Sequence, residues 1–158
     1  MGLVINLIVV AAFVLFFVLL IYFYKRNKPI ILNQIKQRFE SEGILSLCED
    51  SYFVGLASSS PAPAGGYGVW VLTSKRVYSR AYVGPFELDL PFERILEVKA
   101  AEKLQVAKGI SYHYHGKEGK MLIVMRFMTE DNQEDSTAWY VSGLEEKMEL
   151  LRQKVLVT

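Results

Sequence analysis

The sequence predicts one N-terminal membrane-crossing helix followed by a single α+β, mainly β domain that a C-terminal helix caps. Three patterns carry that prediction. An uncharged apolar run opens the chain, period-two alternation sets in after residue 43, and helical spacing returns after residue 142.

Residues 2–24 contain no charged side chain, and 17 of those 23 positions are Leu, Ile, Val or Phe. As a helix, such a run spans about 34 Å, enough for a bilayer core of about 30 Å. Tyr22 and Tyr24 stand where an interfacial aromatic belt falls, immediately before Lys25-Arg26-Asn27-Lys28. A cleaved signal peptide fits poorly: no Lys or Arg precedes the run, the apolar stretch is too long, and no small-x-small site follows it. Met1-Gly2 lacks the Ser or Thr at position 6 that myristoylation requires, because Asn6 stands there. No Gly-x-x-x-Gly pair specifies a tight helix dimer.

Charge orients the run. Lys25, Arg26, Lys28, Lys36 and Arg38 all precede the first acidic residue, Glu40, and the positive-inside rule then predicts a cell-membrane protein with its N-terminus outside and its remainder in the cytoplasm. From residue 39 onward, 13 basic residues face all 17 acidic ones, a net charge of −4. That distribution is the reverse of a nucleic-acid binder's. The lone Cys48 excludes an internal disulfide and suits a reducing compartment. The expected organisation is a span over 1–24, a basic juxtamembrane segment and connecting helix over 25–43, and one domain over 44–158.

The connector reads as a separate helix over 29–42. Pro29 suits a first helical turn, Ile31, Ile35 and Phe39 make one apolar stripe, and Gly43 ends it. Short runs of β-branched and aromatic residues then predict strands at 44–57 (broken near Glu49-Asp50), 68–73, 77–82, 86–90, 95–102, 109–115, 120–128 and 136–142. Connections of a few residues between most of them imply antiparallel hairpins. Ser142 and Glu145 have the spacing of a capping box, and Leu144, Met148, Leu151 and Val155 form the stripe of a final amphipathic helix. Such a helix buries its stripe best against the open end of a curled sheet.

Two stretches, Gly68-Val69-Trp70-Val71-Leu72-Thr73-Ser74-Lys75-Arg76-Val77-Tyr78 and Phe86-Glu87-Leu88-Asp89-Leu90-Pro91-Phe92-Glu93-Arg94-Ile95, resemble the bacterial PH-like and GRAM-like domain families. The resemblance implies a PH-like bent antiparallel barrel over roughly 44–155, with a terminal helix across it. Trp70, Leu72, Tyr78, Leu88, Leu90 and Ile95 are the expected inner face, and Pro91, which has no amide to donate, is expected to end a strand or lie on an edge.

Little in the chain points to catalysis. No phosphate loop, Gly-x-Ser-x-Gly or His-Glu-x-x-His is present. His113 and His115 lie on one face of an expected strand, and a zinc site there needs a third ligand such as Glu118 or Cys48; an outward polar face accounts for them more simply. No enzyme activity, metal or cofactor is therefore expected. Two binding readings follow. The first is a non-catalytic interaction module, an accessory or scaffold subunit of a membrane protein complex, with the Ser60, Pro61 and Pro63 loop as partner surface, since two prolines in a run of small residues favour an extended, dockable strand. The second is a sensor of anionic lipid headgroups through Lys25, Arg26 and Lys28 and the Lys75/Arg76 cluster. A specific phosphoinositide site is not expected, because no Lys or Arg lies between Arg38 and Lys75.

Overall fold

In the computed structural model, residues 2–58, 65–105, 111–113 and 120–155 are described. The chain begins with one helix, α1 (Gly2–Arg38), that runs through Pro29 without a break. The separate connector helix expected to start at Pro29 is thus the lower part of α1. Proline in a helix interior removes one amide and leaves the carbonyl four residues earlier, here that of Lys25, without its donor. Lys25 is exposed, so solvent can satisfy that carbonyl, and contacts on both sides of Pro29 hold the helix line. The helix also stops earlier than the stripe suggests. After Arg38 the chain tightens into turns in which the Glu42 and Gly43 amides both donate to the Phe39 carbonyl, at 3.2 and 3.1 Å. Gly43 follows at φ +73°, a conformation that costs glycine little.

The domain consists of β1 (Ile44–Leu56), β2 (Gly66–Thr73), β3 (Arg76–Ala81), β4 (Glu87–Pro91), a 3-10 turn (Phe92–Arg94), β5 (Ile95–Ala101), β6 (Lys103–Gln105), β7 (Ser111–His113), β8 (Leu122–Met128), β9 (Glu134–Tyr140) and α2 (Leu144–Val155). Seven strands form one antiparallel sheet in the order β4-β3-β2-β1-β9-β8-β5, and among the described residues β6 and β7 pair as a separate two-stranded sheet. The expected break near Glu49-Asp50 is a register shift of the β1–β2 ladder between Cys48 and Ser51. A second shift, between Phe53 and Gly55, occurs where β1 turns to pair with β9. Such irregularities bend a strand, and they let β1 serve both halves of the sheet.

The sheet is not a closed barrel. β4 and β5 are its two end strands, and the 3-10 turn joins them where a closed barrel would have a ladder. Pro91 is the last residue of β4 and lies on that edge, as its missing amide requires. α2 packs against β5, β8 and the 3-10 turn. It places Met148 and Leu151 into the inner core with Trp70, Leu72, Phe127 and Trp139.

Tyr78 departs from the expected inner face. It is the register partner of Val71, whereas Trp70 pairs with Ser79, so Tyr78 and Val71 look outward. They are buried nonetheless, because Ile31, Leu32 and Ile35 of α1, with Phe39 just past its end, cover the outer face of β2 and β3. The sheet is therefore apolar on both faces here, and strict alternation cannot reveal which side is inner. A smaller third cluster joins Val54, Leu122, Val124 and Ala138 to Leu104 of β6. The Ser142 hydroxyl, expected to cap α2, lies 3.5 Å from the buried Cys48 thiol. The Ser142 carbonyl instead holds Lys147 Nζ at 2.6 Å.

Candidate functional site

Two polar networks fasten α1 to the domain, and they decide which of the expected site residues are available. The first lies where the apolar run gives way to the basic cluster. Lys28 Nζ donates to Asp50 Oδ1 at 2.6 Å, and Tyr24 Oη donates to the same oxygen at 2.8 Å. Asn27 Nδ2 donates to the Tyr82 carbonyl at 3.0 Å. The Tyr24 and Tyr82 rings meet edge to face at 5.3 Å. The Tyr82 hydroxyl donates to the Glu49 carbonyl, so the bulge of β1 is held to the end of β3. Burial raises the Tyr82 phenol far above its ordinary value and keeps it a neutral donor.

The second network stands at the other end of the docked helix. Arg38 reaches Glu87 at 2.7 Å and Asp89 at 3.1 Å. Arg76 reaches Glu42 at 3.0 Å and the same Asp89 at 3.2 Å. Burial pushes the Tyr78 hydroxyl up to about 12, with the Glu87 carboxylate as the next cause. Thr73 closes the β2–β3 turn: its hydroxyl accepts from the Lys75 and Arg76 amides, both at 3.1 Å, and lies 3.0 Å from Glu42 Oε2.

Of the five headgroup candidates, the structure leaves three free of ion pairs among the described residues. Lys25 and Arg26 are exposed at the end of the apolar run, and Lys75 is exposed in the β2–β3 turn. Lys28 and Arg76 are occupied by Asp50 and by Glu42 and Asp89. The expected cluster of Lys75 and Arg76 thus does not present two free cations. Nor does it join the collar, because Arg76 shares Asp89 with Arg38, and Arg38 lies about 18 Å of helix axis beyond Arg26. Arg80 is tied to Gln34 at 3.1 Å.

The partner-loop candidates Ser60, Pro61 and Pro63 lie outside the described residues, as do His115 and Glu118 and the side chain of His113. The loop's described start is fastened: Ser58 donates from its amide and its hydroxyl to the Asp135 carboxylate, at 3.0 and 2.6 Å. Asp135 is thereby drawn inward from the acidic 129–135 segment. Among the described residues no three His, Cys, Asp or Glu side chains converge as metal ligands. Sequence reasoning missed Asp50 and Tyr82 as the partners of the basic segment. The helical spacing of Tyr24, Lys28, Ile31 and Ile35 was the signal on α1, but nothing local marks an acceptor 22 residues downstream.

The two networks share a definite pH signature. Hydrogen bonding to Lys28 lowers the Asp50 carboxyl below its ordinary 3.8, and hydrogen bonding to Arg38 lowers Glu87 below its ordinary 4.5. A carboxyl lowered in the folded state stabilises at pH above its unfolded value and loses that contribution as pH falls through the folded value. The melting temperature of the full chain should be flat from neutral pH downward and drop only below the ordinary carboxylate range. Both carboxylates are largely exposed, so screening keeps the drop small. Asp50→Asn should make it shallower in a circular-dichroism melt series; an unaltered acid limb would show that Asp50 is not coupled to folding.

α1 is long and apolar enough to cross a membrane, with an 18-residue window of mean hydropathy 3.0 that is wholly unburied. No protein-family model matches the chain, and no curated protein is similar to it. It is similar to the crystal structure of the C-terminal domain of an unknown protein from Leishmania infantum, with 12% identity over 80% of this chain and 98% of that chain and a TM-score of 0.48.

Proposed function

We propose that the chain is a single-pass membrane protein of the cell membrane, N-terminus outside, whose PH-like domain is a non-catalytic contact module at the cytoplasmic face. In this reading it is an accessory or scaffold subunit of a membrane protein complex. The observation that carries the reading is the occupation of Arg76 by Glu42 and Asp89. A multiply charged headgroup needs several fixed cations, and the Lys75/Arg76 cluster offers Lys75 alone, well apart from Lys25 and Arg26 of the collar.

Further support comes from the helix. Its apolar segment continues without interruption into residues that pack on the sheet, so removal of the segment as a leader would cut into the fold's own contacts. The strand order β4-β3-β2-β1-β9-β8-β5 with a helix over the inner core agrees with a PH-like arrangement opened along one edge. A permanent anchor already supplies membrane residence more strongly than headgroup recognition does, which leaves protein contact as the domain's distinctive capacity.

Purification of the full chain from its native membranes should recover a stoichiometric membrane protein, and Lys75→Ala should leave that recovery intact. A thiol introduced by Asp131→Cys, in the exposed β8–β9 turn, should resist an impermeant reagent applied outside intact cells. Recovery of the chain alone, together with salt-resistant binding to a phosphorylated lipid that Lys75→Ala abolishes, would reverse the choice in favour of lipid sensing. Labelling from outside would overturn the orientation.

A further inference from the structure

The β3–β4 turn differs from the other short turns of the sheet. From Ala81 to Phe86 the chain reads Ala-Tyr-Val-Gly-Pro-Phe, six residues without a charge. The β2–β3 turn carries Lys75, the β4–β5 connection carries Glu93 and Arg94, and the β8–β9 turn carries Glu130 and Asp131. The apolar turn is nevertheless open to the surroundings: Val83, Gly84 and Pro85 are all exposed. A lone exposed valine needs no explanation. Its height along α1 does.

The turn is fixed to the helix at the level where the apolar run ends. Tyr82 packs on Tyr24, and the Tyr82 carbonyl accepts from Asn27. Tyr24 is the last residue of the uncharged run, and Asn27 lies three residues beyond it, about 4.5 Å along the helix axis. Tyr82 is therefore level with the aromatic and basic residues of α1 that mark a membrane surface, and the exposed residues follow it directly, with Gly84 beside Asn27, Ile30 and Gln34. Tyr67, exposed and bonded through its carbonyl to the Tyr82 amide, belongs to the same end of the domain. Lys25 and Arg26, exposed and without ion pairs among the described residues, stand at this level to meet lipid phosphates. The Lys28–Asp50–Tyr24 contacts restrain the helix from swinging the domain away.

From this juxtaposition we propose that the exposed Val83–Pro85 tip of the turn is a second membrane contact, seated in the headgroup layer of the bilayer that α1 crosses. The occupant of this surface is the lipid interface itself. Apolar residues at that depth gain from burial, and the absence of a charge removes the cost that Lys, Asp or Glu would incur there. The inference rests on the reading of α1 as a span.

The test is site-directed spin labelling of the full chain in phosphatidylcholine nanodiscs, at Val14→Cys, Val83→Cys, Pro85→Cys and Lys75→Cys, with the unsubstituted chain as the background for buried Cys48. Collision rates with oxygen and with a water-soluble nickel chelate report depth. The label at 14 should be deep in the bilayer and the label at 75 fully aqueous. Labels at 83 and 85 should both show nickel collisions severalfold below those at 75 and oxygen collisions above them. A deep residue 14 with 83 and 85 indistinguishable from 75 would leave the span standing and overturn the seating. An aqueous residue 14 would overturn the span, and the seating with it.

Discussion

Leu151→Asp should unfold the domain or lower its melting temperature by the equivalent of several kcal/mol. Leu151 has no accessible surface and lies in the inner core with Trp139 and Phe127, where α2 covers the open side of the sheet. The substitution removes a buried aliphatic side chain and puts a carboxylate in its place. The first loss alone is about 2–5 kcal/mol in cores of this kind. The second adds the cost of an unpaired buried charge, or of the pKa shift that neutralises it. Because whole domains are stable by only about 5–15 kcal/mol, near-complete loss of the folded state is the expected result. Circular dichroism of the full chain in detergent should show β and α2 signals melting together at a lower temperature. An unchanged melt would mean that α2 is not integral to the core.

Phe39→Ala should have the next largest effect, about 3–5 kcal/mol, but of a different kind. Phe39 is 2% exposed and packs on Tyr78 at a centroid separation of 5.0 Å, outside the sheet rather than within it. Arg38 lies over the same Tyr78 ring at 4.8 Å. Loss of the phenyl group removes the last anchor of the α1 stripe, so residues 31–39 should loosen while the inner core persists. Trypsin cleavage at Lys36 and Arg38 should accelerate strongly at temperatures where the sheet remains folded. Equal cleavage rates in the two proteins would refute docking of this end of the helix.

The contrast between these two residues shows what was legible in the sequence. Leu151 and Phe39 both belonged to stripes at helical spacing, and both stripes are buried. The strands from β1 to β5 and β8 to β9 fell near their expected places because short β-branched and aromatic runs between turn residues mark strands even where both faces are buried, as in β2 and β3. Tyr78 was assigned to the wrong face because α1 covers the outer side of β2 and β3, a tertiary fact without local signature. Pro29 misled for a related reason. Its intrinsic preference for a helix start was overridden by docking contacts before and after it. The site was less legible than the fold. Basic residues are visible as charges, but Asp50, Glu42 and Asp89, which engage Lys28 and Arg76, are brought to them only by the folded sheet.

The unbroken line of α1 also sets a rotational phase. Tyr24, Lys28, Ile31 and Ile35 all face the domain, and at 3.6 residues per turn the same azimuth continues upward through Leu20, Phe17, Phe13 and Val10. The opposite azimuth carries Arg26, Tyr22, Leu19, Leu15 and Ile8. On the proposed reading of α1 as a span, a transmembrane neighbour that packs on the Leu15 side meets the helix with the domain turned away from it. One that packs on the Phe13–Phe17 side has the domain directly beneath it. Insertion of a single residue between Phe17 and Tyr24 would turn these two sides relative to the domain by about 100°, changing which neighbour the domain addresses without altering a single contact within it.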